Sequence, residues 1–355
     1  MAYASGILAM LLGSLAAIGC GGDVLASDAG ANGPTSDGAA LSTLGSCGAR
    51  QSVPSDMTRQ ESGGTTSPEL LATLPYPSEM AVDETNAYVL SSVGTYKVPL
   101  DGGAPTLLDS VGATSLAIDA TRVYTGTETA TNPGAMGPPG VLVACAKCGC
   151  GGHFTTLASA QNSGIVGLAV DSGYVYWIDG SGEGRSNPGS VMKLAVDGGS
   201  PIPLVLATFA NHIAVAQGFV FFATPDPSLQ RIPASGGSPT TVQTAGSADF
   251  VSALAADDGN VYYQMTGGVV GQTPIHGGPP VMLFAGTQYK GGRQIAVDSQ
   301  SSYFIDDQTI LSVPIGGGAA KTIATGQPSP TGLAVDAIYV YWTNSADGTV
   351  MRSPK

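Results

Sequence analysis

One pattern recurs seven times between residues 80 and 342, and it constrains the fold more than any other feature of the chain. Each copy has a few apolar residues, an Asp, a short turn and an aromatic pair, as in LAVDSGYVYW at 168–177. The Asp positions are Asp83, Asp119, Asp171, Asp257, Asp298 and Asp336, and Ala216 takes this place in the fourth copy. Copies follow one another at intervals of 36 to 52 residues, which indicates a repeated supersecondary unit of about 40 residues.

Each copy has a second half that ends in a glycine pair, for example TYKVPLDGG at 95–103 and TILSVPIGGG at 309–318. A further apolar run follows the glycines, such as TTLAS at 155–159. Period-2 alternation of apolar and polar residues therefore predicts four strands in each unit, here called A, B, C and D. The glycine pair suits the positive φ angles of a tight C-to-D turn, and the Asp suits bonds to the backbone of the A-to-B turn.

Four-stranded units that repeat around an axis form a β-propeller, in which closure of the ring protects the sheet edges. The sequence thus predicts an all-β fold, a seven-bladed β-propeller, with six or eight blades as the alternatives. The seventh copy has strands A, B and C and then reaches Lys355. We expect the segment PELLATL at 68–74 to supply its strand D, so that the N-terminal strand closes the last blade.

The first 67 residues differ in kind from the repeats. The apolar run GILAMLLGSLAAIG at 6–19 has the length of a signal-peptide core, which predicts a signal peptide over 1–20. Residues 21–67 contain almost no aromatic or branched residues, which predicts a disordered Gly/Ser/Ala-rich tether. The propeller domain is then expected to span 68–355.

The end of the apolar run, Ala17-Ile18-Gly19-Cys20, resembles the lipobox of bacterial lipoproteins. This resemblance implies that Cys20 is lipidated and that the protein is an outer-membrane lipoprotein of the bacterial cell envelope. Ser14-Leu15-Ala16 also suits ordinary cleavage, so a secreted or periplasmic form is an alternative, as is an unprocessed form.

Two copies of the repeat resemble known propeller motifs. YWID at 176–179 and YWTN at 341–344 resemble the YWTD repeat, and PTGLAVD at 330–336 is similar to the opening of an NHL repeat. Residues 68–355 as a whole resemble YWTD/NHL/TolB-like propellers, and most of all the GG-rich propeller lipoproteins of myxobacteria. The resemblance implies the fold and carries no catalytic residues.

Three of the remaining four cysteines, Cys145, Cys148 and Cys150, lie in the C-to-D hairpin of blade 2, and Cys47 lies in the tether. Disulfides are the rule in exported proteins, and Cys145 and Cys150 occupy positions suited to cross-strand partners. The similar propeller lipoproteins also carry a cysteine pair at this spacing, which leaves Cys47 for Cys148. Zinc bound by these thiols is the alternative.

The connections between strands predict where a ligand binds. B-to-C and D-to-A connections share one face of the ring, and the B-to-C connections of blades 2 and 3, 125–140 and 179–189, are long. Loops on a rigid scaffold commonly carry binding residues. The candidate binding residues at this face are Glu79, Asn162, Asp179, Glu183, Arg185, Asn211, His212, Asp249, Arg293 and Gln294.

The net charge of −13, from 26 acidic and 13 basic residues, disfavours nucleic acids and anionic membranes as partners. The sequence predicts a monomeric, non-catalytic binding module for a protein, a glycan or a small molecule. It would need no cofactor and would touch the membrane only through a lipid anchor. The alternative is a calcium-dependent hydrolase or lyase with Glu79, Asn211, Asp249 and Arg293 at the channel mouth; which metal, if any, binds is left open.

Overall fold

All regular structure in the described part of the protein is β-sheet. The structure, a computed structural model, describes residues 67–110, 112–128, 140–151, 154–160, 164–180, 188–225, 228–244, 249–286 and 294–355. These residues form seven antiparallel sheets of four strands each. The described ranges contain no helix that could span a membrane. The predicted signal peptide and nearly all of the predicted tether lie outside the described residues.

Six of the seven sheets, blades 1 to 6, each consist of four strands that are consecutive in the chain. Blade 1 consists of β2 (Met80–Val82), β3 (Asn86–Ser91), β4 (Gly94–Pro99) and β5 (Thr106–Asp109). Blade 2 consists of β6 (Ser115–Ile118), β7 (Arg122–Gly126), β8 (Val141–Ala146) and β9 (Thr155–Ser159). Blade 3 consists of β10 (Ile165–Asp171), β11 (Tyr174–Asp179), β12 (Gly189–Ala195) and β13 (Ile202–Thr208).

Blade 4 consists of β14 (His212–Ala216), β15 (Phe219–Thr224), β16 (Ser228–Pro233) and β17 (Thr240–Thr244). Blade 5 consists of β18 (Val251–Ala256), β19 (Asn260–Met265), β20 (Val269–Pro274) and β21 (Val281–Ala285). Blade 6 consists of β22 (Ala296–Val297), β23 (Ser301–Asp306), β24 (Thr309–Pro314) and β25 (Lys321–Ala324). The order within each blade is that of the predicted strands A to D.

Blade 7 joins the two ends of the domain. Its strands A to C are β26 (Pro330–Val335), β27 (Tyr339–Asn344) and β28 (Thr349–Pro354), and its strand D is β1 (Glu69–Thr73). β1 pairs antiparallel with β28, from Glu69 opposite Arg352 to Thr73 opposite Thr349. The predicted closure of the last blade by the N-terminal strand is therefore confirmed.

The A strands of neighbouring blades contact one another all the way round, from β2 through β6, β10, β14, β18 and β22 to β26 and back to β2. This arrangement is a closed ring and confirms the predicted seven-bladed propeller, rather than six or eight blades. The hydrophobic core lies between the blades. Trp342 of blade 7, for example, is fully buried in a cluster with Tyr303 and Ile305 of blade 6.

The repeated Asp organises the A-to-B turn in five blades. In blade 2, Asp119 accepts hydrogen bonds from the backbone N–H groups of Thr121 and Arg122, at 2.7 Å each. Its second carboxylate oxygen accepts a bond from the Tyr124 hydroxyl on strand B, also at 2.7 Å. The same contacts occur at Asp83, Asp257, Asp298 and Asp336 with Tyr88, Tyr262, Tyr303 and Tyr341. The predicted structural role of this Asp is confirmed in these blades.

Blades 3 and 4 depart from this pattern. Blade 3 has Asp171 and Tyr176 around the two-residue turn Ser172-Gly173, with φ angles of 50° and 80°, and no hydrogen bond joins the two side chains. Blade 4 lacks both partners. Ala216 replaces the Asp, and the residue five positions on is Phe221, which has no hydroxyl to satisfy. The turn itself uses Gln217 and Gly218 with φ angles of 49° and 73°, as in a two-residue hairpin turn with positive φ at both positions. Blade 4 therefore lacks both the Asp carboxylate that accepts the bond and the Tyr hydroxyl that donates it, so no hydroxyl is left without a partner at this position.

Deletion of residues 68–74 should destabilise blade 7, because it removes β1 and the buried side chains of Ala72 and Leu74. We expect a loss of at least about 3 kcal/mol in the free energy of unfolding and lower hydrogen-exchange protection in β28. Deletion of 21–60 is the matched control and should change neither quantity. Equal protection of β28 in both deletions would contradict the role of β1 as a structural strand.

The substitution Phe221→Tyr should lower the free energy of unfolding by about 1–2 kcal/mol, since it adds a hydroxyl where Ala216 offers no acceptor. The double variant Ala216→Asp/Phe221→Tyr should recover little of this loss, because Asp171 and Tyr176 around the same kind of turn in blade 3 form no hydrogen bond. Phe219→Tyr, a change to the residue found at the equivalent Tyr174 and Tyr339, serves as control and should be near neutral. Chemical denaturation measures all three variants; full recovery in the double variant would contradict the restriction of the Asp–Tyr contact to the longer A-to-B turns of the other five blades.

Candidate functional site

The ring has two faces that differ in their connections. The face formed by the B-to-C and D-to-A connections is called the insertion face, and the face formed by the A-to-B and C-to-D turns is called the turn face. B-to-C connections have two to four residues in five blades, but they extend over 127–140 in blade 2 and 180–188 in blade 3. The described candidate binding residues lie at or near strand ends on the insertion face: Glu79, Asp179, Asn211, His212, Asp249 and Gln294.

Gln294 is the candidate with the most clearly defined role. It lies at the start of blade 6, and its Nε2 donates to Glu79 Oε1 at 3.3 Å and to the Met80 carbonyl at 3.2 Å in blade 1. Its Oε1 accepts bonds from the backbone N–H groups of Met80 and of Leu333 in blade 7, both at 3.0 Å. Gln294 therefore joins three blades, and its amide serves the ring rather than presenting itself to a ligand.

The other described candidates stand on separate blades. Asn211 and His212 are half-buried at the start of blade 4, and Asp249 is half-buried at the start of blade 5. Asp179, at the end of β11 in blade 3, is only 2% exposed, so it belongs to the packed interior and not to the surface. Asn162, Glu183, Arg185 and Arg293 lie outside the described residues. Glu79 and Gln294 contact each other directly.

Across the described ranges, no three His, Cys, Asp or Glu side chains form a group that could hold a metal ion. The calcium-dependent alternative also includes Arg293, outside these ranges, and stays a prediction.

A cleft of about 350 Å³ lies on the turn face between blades 6 and 7. Its carboxylates already serve the fold: Asp298 accepts bonds from Tyr303, Lys355 and the turn backbone. Asp336 accepts bonds from Tyr341 and the backbone of its own turn. The cleft is thus the space between the A-to-B turns of blades 6 and 7, and its carboxylates are engaged in structural hydrogen bonds.

The cysteines of blade 2 form disulfides. Cys145 and Cys150 are bonded, with their Cα atoms 5.3 Å apart, although Cys150 lies in the C-to-D connection and not on β9 itself. Cys150 Sγ lies 3.2 Å from the Leu108 carbonyl oxygen of blade 1, so the disulfide packs at the junction of blades 1 and 2. Cys148 is also disulfide-bonded. Cys47 and Cys20 lie outside the described residues, so their predicted roles stay predictions.

Cationic contacts between blades were not predicted from the sequence. A Lys or Arg at the third position from the end of strand C donates to a backbone carbonyl at the C-to-D turn of the next blade. The four pairs are Lys97 with Lys147, Lys193 with Ala234, Arg231 with Ile275, and Arg352 with Leu100. The signal in the sequence is a basic residue two positions before the Pro or Ala that ends strand C.

Two further lysines bind the repeated Asp of the preceding blade. Lys147 Nζ lies 2.9 Å from Asp83 Oδ2, and Lys355 Nζ pairs with Asp298. Burial alone would raise the pKa of Asp83, but the N–H of Thr85 and the contact with Lys147 outweigh it and lower the pKa to about 2. The backbone carbonyl of Lys147 also accepts a hydrogen bond from Lys97 Nζ. Blades 1 and 2 are therefore joined by one lysine contact from each blade to the other.

These contacts place the described cations on the turn face, which also carries the repeated Asp residues. Every Lys and Arg in the described residues lies at the turn-face end of its strand or in a turn of that face: Lys97, Arg122, Lys147, Lys193, Arg231, Lys321, Arg352 and Lys355. The insertion-face ends carry six half-buried or exposed acidic residues, Glu79, Glu128, Asp249, Asp306, Asp307 and Asp347, besides the buried Asp109 and Asp179. Arg185, Lys290 and Arg293, which follow insertion-face strand ends in the sequence, lie outside the described ranges. The described part of the insertion face is therefore anionic.

The closed ring of seven four-stranded blades makes this protein a β-propeller. No protein-family model matches the chain, and no curated protein matches it.

Solved propellers resemble it over most of its length. Virginiamycin B lyase from Staphylococcus aureus matches with a TM-score of 0.64 at 15% identity, covering 81% of this chain and 100% of that one. The WD40 propeller domain of Doa1 matches at 0.63 and 14% identity, covering 82% and 98%. BamB from Moraxella catarrhalis matches at 0.53 and 12% identity, covering 81% and 98%. At such identities the likeness shows the fold alone.

Lys147→Met should remove one ionic contact between blades 1 and 2 while keeping the aliphatic stem. The folded-state pKa of Asp83 lies below its ordinary value of 3.8, so its contribution to stability is present above about pH 4 and is lost as the pH falls through about 2. We expect Lys147→Met to cost about 1 kcal/mol at pH 7, after allowance for solvent screening. The difference from the wild type should shrink below pH 4.

Lys321→Met provides the control for this experiment, because Lys321 is exposed at the start of the outer strand β25. Denaturant midpoints measured from pH 7 to pH 2 give the comparison. A difference between Lys147→Met and the wild type that stays constant over this range would rule out the ion pair as its source.

Proposed function

We propose that the protein is a cell-envelope lipoprotein whose propeller is a non-catalytic binding module, with the insertion face as its binding surface. The observation that carries this proposal is the concentration of extra chain length on that face, at 127–140 and 180–188 in neighbouring blades. Each of these connections joins two strands of a closed and internally bonded ring. A rigid scaffold with long loops on one side suits recognition of a partner.

The polar side chains of the turn face support the same conclusion, because many of them already stabilise the ring. The Asp residues bind Tyr hydroxyls and turn backbones, and most of the cations bind carbonyls or carboxylates of adjacent blades. A ligand on the turn face would compete with these contacts. The partner, a protein, glycan or small molecule, is therefore assigned to the insertion face.

A photo-crosslinking residue at Glu128, beside the long connection of blade 2, tests the binding surface in envelopes of cells that express the full chain. The control carries the same residue at Ile338, which is 49% exposed on the turn face. We expect a discrete crosslinked species from position 128 and none from position 338. Crosslinks from position 338 alone, or from neither position, would refute the assignment of the face.

Mass spectrometry of the mature N-terminus tests the anchoring part of the proposal. An acylated N-terminal Cys20 is the expected result, because the residues before it suit a lipobox. An N-terminus at any other residue would remove the lipid anchor from the account and leave the binding module in place.

A further inference from the structure

Tyr76 has the most exposed large hydrophobic side chain in the described part of the chain, at 72%. It lies in the sequence Pro75-Tyr76-Pro77, in the connection from β1 to β2 on the insertion face. Its φ angle is 45°, in the left-handed region that residues with a β-carbon seldom adopt. The backbone therefore accepts strain at a residue whose side chain contributes little to the core.

The neighbouring connection, between blades 6 and 7, contains the same turn with a small residue. Pro328-Ser329-Pro330 holds Ser329 at a φ of 57°. In both turns the carbonyl of the first Pro accepts an N–H from the adjacent B-to-C connection, Ser92 at 3.2 Å in one and Ala346 at 3.3 Å in the other. The turn thus forms with Ser at its centre, and its geometry does not explain an aromatic ring at position 76.

The two B-to-C connections that bond to the chain on either side of Tyr76 carry an apolar side chain and a carboxylate. Ser92, which bonds Pro75, is followed by Val93, whose side chain is 44% exposed. On the other side, Leu74 N–H donates to the Gly348 carbonyl at 2.7 Å, and Gly348 follows the exposed Asp347. Asp347 Oδ1 accepts bonds from the backbone N–H and the hydroxyl of Thr349, at 3.1 and 2.8 Å. Backbone bonds therefore fix Tyr76, Val93 and Asp347 in one sector of the insertion face, at the seam where the ring closes.

The charge of this face indicates the partner. Its described strand ends and connections carry acidic residues, and the described Lys and Arg residues lie at the opposite end of the strands. An exposed aromatic ring attracts a cation to its electron-rich face, and a carboxylate in the same sector of the surface adds ion pairing. Tyr is also among the residues that most often dominate binding at protein interfaces.

We propose that Tyr76 and Asp347 form a docking point for a Lys or Arg side chain of a partner protein, with Val93 contacting its aliphatic stem. This inference rests on the proposed binding function and names the chemical class of the partner. The proposal explains the strained backbone at Tyr76, because the left-handed conformation exposes the ring to solvent. The ring then lies on the chain segment that links β1 of blade 7 to β2 of blade 1.

Fluorescence anisotropy of a labelled nonapeptide of alternating Arg and Gly, titrated with the full chain, tests the proposal. Tyr76→Ser copies the natural turn at Ser329 and should fold normally, with an affinity about three-fold or more below wild type. Tyr76→Phe keeps the ring and should stay within about two-fold of wild type. Asp347→Asn should also weaken binding, and more so at low salt.

Two controls separate this contact from general attraction between an anionic protein and a cationic peptide. Glu84→Gln removes an exposed charge on the turn face, and Ile338→Ser removes an exposed apolar side chain there; both should bind like wild type. Equal affinity of Tyr76→Ser and wild type, equal losses in the controls, or tight binding of an uncharged Ser-Gly peptide would overturn the proposal. So would unfolding of Tyr76→Ser, because Tyr76 would then have a structural role.

The crosslinking experiment distinguishes failure of the proposed binding module from failure of the proposed docking point at Tyr76. A partner captured from position 128 in both wild type and Tyr76→Ser would leave the binding module standing and refute the role of Tyr76. A cation-selective loss in Tyr76→Ser without any captured partner would support the docking point and count against the proposed envelope function.

Discussion

Closure of the ring depends on the antiparallel pairing of β1 with β28, which joins residues separated by more than 270 positions in the chain. Without this pairing, β28 would be an exposed edge, and blade 7 would lack the buried side chains of Ala72 and Leu74. Each blade packs its apolar face against the next, so a gap at one junction also weakens the restraint on the others. The positions of the insertion-face loops, and of Tyr76 beside the seam, follow from this closure.

Polar contacts supplement the apolar packing in a regular way. Within five of the blades, the repeated Asp binds the Tyr of strand B. Between blades, Lys and Arg bind carbonyls or carboxylates of their neighbours. These contacts concentrate the described cations at the turn face and leave the described insertion face anionic. A feature that stabilises the fold thereby also sets the charge of the surface proposed to bind a partner.

The blade pattern, the blade count and the seam could be predicted from the sequence because they depend on local periodicity that repeats seven times. The inter-blade contacts of Lys97 and Arg352 could not, since they depend on the distance and angle between sheets. The sequence placed Gln294 among the exposed polar residues, but in the structure its side chain is hydrogen-bonded to the backbones of blades 1 and 7. Asp179 was expected at the binding face, but its position at the end of β11 buries it. The exposure and strain of Tyr76 are properties of the folded connection, so the Pro-Tyr-Pro sequence alone gave no indication of them.

Hydrogen exchange of the intact domain, resolved by strand, tests the closed ring most directly. If β1 and β28 close the ring, the A and B strands of blade 7, at 330–335 and 339–344, should be as strongly protected as those of blades 3 and 4. They should also lose protection together with those blades as denaturant is added. Faster exchange in blade 7, in a separate step at lower denaturant, would contradict the account.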